Sequence, residues 1–319
     1  MEYVTLTTGA KMPLLGYGTW QAKDETELSA GLRAALDYGY RLIDTAYLYG
    51  NEHIIGNVLK EYFDAGKLKR EDIFVTTKLP FTAHHPTDVD EVVTHQLKAL
   101  QLDYVDLYLM HSPCPFKKQI DSFAAQAVDG QMVAEDVPHI DTWREFERLF
   151  KEGKLRAIGL SNFNDDQVKD LYEKAEIKPH NLQVEAHIYW PQYELADLCK
   201  KLHISFTAYA PIGSPGRKAA RPDGNWPEGD PLVEPVVQEI AKKHGKTPAQ
   251  VLLRHLVQRG ISAIPKSVRP DRIRENFDIF DFKLSSEEVH ELEAIKTRVR
   301  LFVFDFGRGH RYFPHKDLA

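Results

Sequence analysis

The stretch LLGYGTWQ, residues 14–21, decides between two folds that both alternate strands with helices. An open doubly wound sheet that binds a dinucleotide opens on a G-x-G-x-x-G turn after its first strand. Gly16 and Gly18 have the spacing of the first two glycines, but Gln21 stands where the third belongs. The stretch therefore reads as the first strand of a closed parallel barrel.

Seven more strand-like runs follow: RLIDTA (41–46), IFVTTKL (73–79), DYVDLYLMH (103–111), LRAIGLSN (155–162), NLQVEAHI (181–188), ISFTAYAPI (204–212) and ISAIPKS (261–267). Between them apolar residues recur at helical spacing, as in Leu28, Leu32, Ala35 and Leu36, or Ile54, Ile55, Val58, Leu59 and Tyr62. Eight strands alternating with eight helices predict a single (β/α)8 barrel domain over 1–319, an α/β fold of the TIM type. The turn Thr8-Gly9-Ala10-Lys11 predicts an N-terminal hairpin covering the barrel floor. The connections 112–140 and 213–233 both follow strands, so they should lie on the face where barrel enzymes keep their chemistry. The tail after residue 298, with aromatics from Phe302 to Phe313, is expected over the same mouth.

Composition narrows the functional classes. The chain has 41 basic and 47 acidic residues, a net charge of −6, which argues against a non-specific nucleic-acid binder. The N-terminus lacks a basic-then-apolar signal pattern, and no window approaches 18 uninterrupted apolar residues. Cys114 and Cys199 form neither a disulfide framework nor a metal-ligand set. A cytoplasmic protein acting on a small molecule is the expectation, with no nucleic-acid, membrane or metal partner.

The strand ends carry unusual polarity: Asp44, Lys78, His111, Ser161-Asn162, Gln183, Tyr209 and Lys266-Ser267. Each alone is explained by a cap or a turn, but all converge on one rim of a barrel. A lysine paired with Asp44 inside a narrow mouth favours the phenolate of a neighbouring tyrosine, so Lys78 is expected to lower the pKa of Tyr49 and make it a general acid. His111 could orient a carbonyl oxygen from one ring nitrogen. With no partnered Ser or Cys nucleophile in view, a nicotinamide hydride is the natural reductant.

RLIDTAYLYGNE, VTTKL and LYLMHSP, carrying Asp44, Tyr49, Lys78 and His111, resemble the catalytic segments of the aldo-keto reductases, in the aldose/aldehyde reductase branch. GLSNF (159–163), LQVEAH (182–187), AYAPIGS (208–214) and IPKSVRPDRIREN (264–276) resemble that family's cofactor-contacting segments. The resemblance implies NADPH-dependent reduction of an aldehyde or ketone by a monomeric enzyme. Tyr49 would donate the proton, Lys78 and Asp44 would tune it, and His111 would orient the substrate. It further implies that Ser161, Asn162 and Gln183 hold the carboxamide, that Tyr209 stacks on the nicotinamide, and that Ser214 belongs to the cofactor site. The basic cluster of PKSVRPDRIREN at a strand-to-helix junction suits a phosphate, with Lys266, Ser267 and Arg272 on the 2′-phosphate and Glu275 and Asn276 on the adenine. NADPH is therefore expected over NADH.

This chain departs from the family at several points. A lysine and an aspartate that pair over the pyrophosphate in aldose reductases are replaced by Gln21 and Gly216, which implies a cover that opens more easily and faster cofactor exchange. Trp20, Trp226, Ser112, Arg300 and Phe302 are the expected substrate-pocket residues. Ser112 and Pro80, where aromatics are common, imply a wider and more polar wall. An inward Arg300 would favour a substrate bearing a carboxylate, such as a sugar acid. Two alternatives stay open: a cofactor-binding sensing subunit without brisk turnover, and a reductase of steroid or prostaglandin ketones.

Overall fold

All eight expected strands form and close on themselves in the computed structural model, which describes residues 1–315. A hairpin of β1 (Tyr3–Thr5) and β2 (Lys11–Pro13) precedes β3 (Tyr17–Gly18), β4 (Leu42–Asp44), β5 (Phe74–Leu79) and β6 (Leu107–Met110). Two antiparallel ribbons occupy the first long connection: β7 (Lys118–Gln119) with β8 (Ser122–Ala125), and β9 (Ala127–Val128) with β10 (Gln131–Met132). The barrel resumes with β11 (Ile158–Ser161), β12 (Asn181–Glu185), β13 (Ser205–Tyr209) and β14 (Ser262–Ala263). The order β3-β4-β5-β6-β11-β12-β13-β14 is parallel throughout.

The seam between β14 and β3 is closed by backbone bonds from Gly16 to Ala263 (2.9 Å), Ala263 to Leu14 (2.9 Å) and Gly18 to Pro265 (3.0 Å). A Cβ on Gly18 would stand 2.7 Å from the Ile264 carbonyl oxygen. The glycine pair of the opening stretch thus serves close strand approach at the seam and not a phosphate turn. Below, Leu6 and Met12 of the hairpin pack with Leu42, Phe74 and Leu107 at the strands' N-terminal ends, so the hairpin does cover the floor.

Helices α1 (Glu25–Tyr38), α2 (Glu52–Asp64), α3 (Pro86–Leu100), α4 (His139–Lys151), α5 (Asp165–Lys174) and α6 (Tyr193–Lys201) surround the first six strands. α7 (Arg217–Ala220), α8 (Pro235–His244) and α9 (Pro248–Gln258) follow β13, while α10 (Pro270–Phe277) and α11 (Ser286–Glu293) follow β14. Leu28, Leu32, Ala35 and Leu36 on α1 are buried as their spacing predicts. Burying each such leucine contributes about 1.5–3 kcal/mol. Asp24 caps α1 by accepting the Glu27 N–H, and Gly39 ends it with φ 108°. Helices α8 and α11 are additions to the eight-unit reading. Their Val237, Ile240 and Leu292 pack with Val251 and Leu252 of α9 in a separate apolar cluster, away from the barrel core. Among the described residues no helix is long and apolar enough to cross a membrane.

The period of two along β5 sends Lys78 into the barrel and Thr77 outward. Outside, Thr77 Oγ1 donates to Glu52 Oε1 (2.5 Å), Gln96 Nε2 donates to the same oxygen (2.8 Å) and to the Lys78 carbonyl (3.2 Å), and the Tyr108 hydroxyl donates to Gln96 Oε1 (2.7 Å). Burial pushes the Glu52 carboxyl up to about 7, although Thr77 and Gln96 bond its ionised form. A carboxyl whose pKa is raised in the folded state contributes stability at low pH that is lost as pH rises. Between about pH 4.5 and 7 the protein is expected to lose on the order of 3 kcal/mol through this group. Denaturant unfolding at pH 5 and pH 8 should therefore show that difference in the wild type and not in Glu52→Gln.

Candidate active site

The C-terminal ends of the strands open into a cavity of about 1050 Å³ that runs from Tyr49 and His111 to Arg272 and Asn276. At its inner end β4 delivers Asp44 and β5 delivers Lys78, both pointing inward. Lys78 is fully buried; its Nζ donates to Asp44 Oδ1 (2.6 Å), to the Thr45 carbonyl (2.9 Å) and to the Tyr49 hydroxyl (3.4 Å). Gln183 Nε2 on β12 donates to Asp44 Oδ2 at 2.7 Å, so both carboxylate oxygens are engaged. Tyr49 ends the short 3-10 turn Tyr47–Tyr49 and faces the His111 ring edge-on, with centroids 5.8 Å apart. Three residues from strand ends, Asp44, Lys78 and His111, are thus brought together with Tyr49 from the turn that follows β4.

The electrostatics correct one expectation. Burial raises the Tyr49 pKa, Lys78 pulls it down, Asp44 pushes it up, and the net direction is upward. Lys78 acts in the expected sense but is outweighed, chiefly by burial of the hydroxyl and in lesser part by the Asp44 carboxylate, which repels a phenolate. Burial favours the neutral amine of Lys78, yet Asp44 and Tyr49 hold its pKa above the ordinary value. His111 is held well below its ordinary range by burial, with Lys78 and His84 adding repulsion. The resting arrangement is an ammonium, a carboxylate, a protonated phenol and a neutral imidazole.

Next to this set, Asn162 Nδ2 donates to the His111 carbonyl (2.8 Å) and to Ser161 Oγ (3.3 Å), while the Tyr209 hydroxyl donates to Asn162 Oδ1 (2.8 Å). Asn162 adopts φ +63°, a left-handed conformation that asparagine tolerates and that turns its amide toward the mouth. Ser161, Gln183 and Tyr209 line the cavity with it, and Ser214, Lys266, Ser267, Arg272, Glu275 and Asn276 line its outer reach. Of the basic cluster, Arg269 is committed to Asp271 (2.6 Å), and Arg274 lies 4.0 Å from Asp278 and off the cavity wall. Arg272 is exposed at the wall, with no ion-pair partner among the described residues. Pro270 opens α10 here, so the first backbone N–H groups of an eight-residue helix face the same end. The outer reach suits an anion.

Trp20, Ser112, Trp226 and Phe302 line the cavity. Phe302 meets Trp20, Tyr209 and Trp226 edge-on, with centroids 5.5, 5.5 and 5.4 Å away. Trp226 is held over the mouth by its Nε1, which donates to the Arg221 carbonyl at 2.7 Å. Arg300 is a correction: it is not on this wall. Its guanidinium lies 4.2 Å over the Trp190 ring, and it borders a separate hollow of about 220 Å³. The backbone on either side is pinned, Val299 N–H to the Tyr189 carbonyl (2.9 Å) and Leu301 N–H to Glu185 (2.6 Å), and that sends neighbouring side chains to different faces.

The wall near residue 80 is also aromatic where polarity was expected. The chain turns at Pro80, whose carbonyl accepts the Ala83 N–H, and presents Phe81 to the cavity. Leu48, Phe304 and Phe306 add to that wall and were missed. The alternation Phe302, Phe304, Phe306 against buried Leu301 and Val303 was a usable signal in the tail. Gln21 and Gly216 both line the cavity and neither carries a charge to pair across it. The connection that contains Gly216 is organised instead by Arg217, whose guanidinium donates to the carbonyls of Gly213 (2.8 Å), Ser214 (3.4 Å), Pro227 (3.1 Å) and Gly229 (2.9 Å).

Residues 14–297 match the model of the Aldo/keto reductase family. The chain belongs to the aldo/keto reductase family. It is 46% identical to aldo-keto reductase family 1 member A1 of Bos taurus and 44% identical to the human protein, each over 98% of both chains. Its structure matches that of the aldose reductase from Schistosoma japonicum with a TM-score of 0.91 and 41% identity, covering all of both chains. This aldo-keto reductase is accordingly an (β/α)8 oxidoreductase acting on small carbonyl compounds, in a family that uses nicotinamide cofactors. The cavity fits such a cofactor in its chemistry: amide and hydroxyl groups at the inner end, a cationic rim and a helix N-terminus at the outer one.

Proposed function

We propose that this protein reduces an aldehyde to an alcohol with NADPH, with Tyr49 as the proton donor. The observation that carries the reading is Lys78 Nζ, which reaches both Asp44 and the Tyr49 hydroxyl at the inner end of the cavity, opposite His111. A bound nicotinamide supplies the hydride. The chain's own residues do the rest. The Tyr49 hydroxyl delivers its proton to the carbonyl oxygen, and the neutral His111 imidazole directs that oxygen toward it. Lys78 stabilises the phenolate that remains, and Asp44 and the Thr45 carbonyl keep the lysine in place.

The aromatic wall of Trp20, Phe81, Trp226 and Phe302 supports an aldehyde with an apolar or aromatic body. With Arg300 outside the cavity, preference for a carboxylate-bearing sugar acid loses the cation on which it rested. The test is loss of NADPH near-ultraviolet absorbance with a panel of aromatic and aliphatic aldehydes, sugar aldehydes, sugar acids and a steroid ketone. Fastest turnover on aromatic or aliphatic aldehydes is expected. NADPH binding with no turnover on any carbonyl would instead mean a sensing subunit, and a steroid optimum would move the substrate class.

The preference for NADPH is tied to Lys266, Ser267 and Arg272. Burial pulls the Lys266 pKa down, offset in part by Glu27, whereas Arg272 offers a planar fork that matches a phosphate. Arg272→Ala is expected to raise KM for NADPH by roughly 10–100-fold, the worth of a charge-assisted contact, with KM for NADH changed less than about 3-fold. Equal loss with both cofactors would remove Arg272 from the 2′-phosphate.

A further inference from the structure

The carboxylate of Glu185 has no part in the chemistry above, yet it gathers three donors at the barrel mouth. It stands two residues beyond Gln183 on β12, so the strand's period turns both toward the interior. Glu185 is 1% exposed. Its Oε1 accepts the Leu301 backbone N–H at 2.6 Å and lies 2.9 Å from His187 Nε2, and its Oε2 accepts the Phe302 N–H at 3.1 Å. Residues 299–303 belong to no helix or strand. Two of their amides therefore end on one buried charge, more than a hundred residues away in sequence, where a backbone group left unpaired would be costly. The residue so fixed is Phe302, on whose ring Trp20, Tyr209 and Trp226 converge.

We propose that Glu185 is a positioning residue for substrate selection: its carboxylate seats the backbone of Leu301 and Phe302, and through the Phe302 ring it sets the apolar wall that large carbonyl substrates touch. This rests on the reading of the cavity as a carbonyl-reducing site. The charge matters because two N–H groups and a histidine N–H point at two oxygens. An amide in place of the carboxylate keeps the volume but turns an NH₂ toward one of those donors, and that seat is lost. A three-carbon substrate presents little apolar surface to the Phe302 wall, whereas an aromatic aldehyde presents a ring to it. Loss of the seat therefore acts on selectivity and not uniformly on rate.

The experiment compares the wild type with Glu185→Gln on a C3 aldehyde and on a bulky aromatic aldehyde, with NADPH affinity read by quenching of tryptophan fluorescence and amide exchange followed at residues 301 and 302. The expected result is at least about 10-fold faster exchange of both amides. The ratio of kcat/KM for bulky over small substrate should fall about 10-fold through KM, with NADPH affinity within about 2-fold. Phe302→Ala should lower the same ratio with the Leu301 amide still protected, and combining it with Glu185→Gln should lower the ratio no further, since both act through one ring. Unchanged exchange, an unchanged or raised ratio, equal KM changes on both substrates, or additive effects in the double variant would each overturn the proposal. Should Glu185→Gln not fold, Glu185→Asp withdraws the carboxylate by one methylene and is judged on the same readouts. Absence of turnover by the wild type on both aldehydes would refute the carbonyl-reducing reading instead, and amide exchange would then decide the seat by itself.

Discussion

Tyr49→Phe is expected to lower kcat/KM for carbonyl reduction by about 10²–10⁴-fold, the usual worth of a positioned general acid. The hydroxyl is the group next to Lys78 Nζ on the cavity wall, and its removal leaves the ring, its contact with His111 and the cofactor groove in place. NADPH affinity should stay within about 3-fold, since hydroxyl loss removes no phosphate or amide contact. The pH dependence follows from the directions at the site. With the Tyr49 pKa raised, the proton to be donated stays on the phenol through neutrality and is lost only on the alkaline side of tyrosine's ordinary value of about 10. With His111 held well below its ordinary range, titration of its ring does not intervene near neutrality. The reductive kcat/KM should thus be flat between about pH 6 and 8. A falling limb centred near neutrality would show that a bound substrate and cofactor reverse the order of influences on Tyr49.

Lys78→Met should be the second largest effect, because it strikes chemistry and stability together. Asp44 is 3% exposed, and without the lysine its carboxylate retains the Gln183 amide as its side-chain partner. Breaking a buried pair from one side costs about 3–5 kcal/mol, because the remaining charge stays in a poor solvent or must take up a proton. Turnover should fall by about 10²-fold or more, as the phenolate left by proton donation loses its nearest cation. Thermal unfolding and turnover separate the two contributions. Adding Asp44→Asn should restore much of the stability by removing the unpaired charge and restore none of the activity. If the double variant recovers turnover, the ion pair holds structure and does not tune the tyrosine.

The strands and the inner site were legible because one rule places both. In a parallel barrel the C-terminal end of every strand opens on the same face, so polar residues at strand ends had to meet. Asp44, Lys78, His111, Asn162 and Gln183 do meet. What followed from long-range contact was not legible. Arg300 was read by its place in the tail, but its direction is set by hydrogen bonds to Glu185 and Tyr189 that no local pattern announces. Phe81 enters the wall because the chain turns at Pro80, one residue beyond the strand the period describes. Helices α8 and α11 escaped because they bury their apolar faces against each other and α9, outside the strand-and-helix repeat. The sign of the Tyr49 shift depends on burial, and burial is a property of the folded surroundings.

The convergence on Phe302 bears on how such an enzyme diversifies. The groups that move protons stand on or beside barrel strands, whereas the ring that joins the substrate wall comes from the tail and meets side chains from two other irregular segments. Inherited changes in those segments can therefore alter which molecules are accepted while the chemistry stays untouched. The price of that freedom is a shared keystone: a change at Phe302 alters the fit of three segments at once, so innovation is open at the periphery of the wall and constrained at its centre.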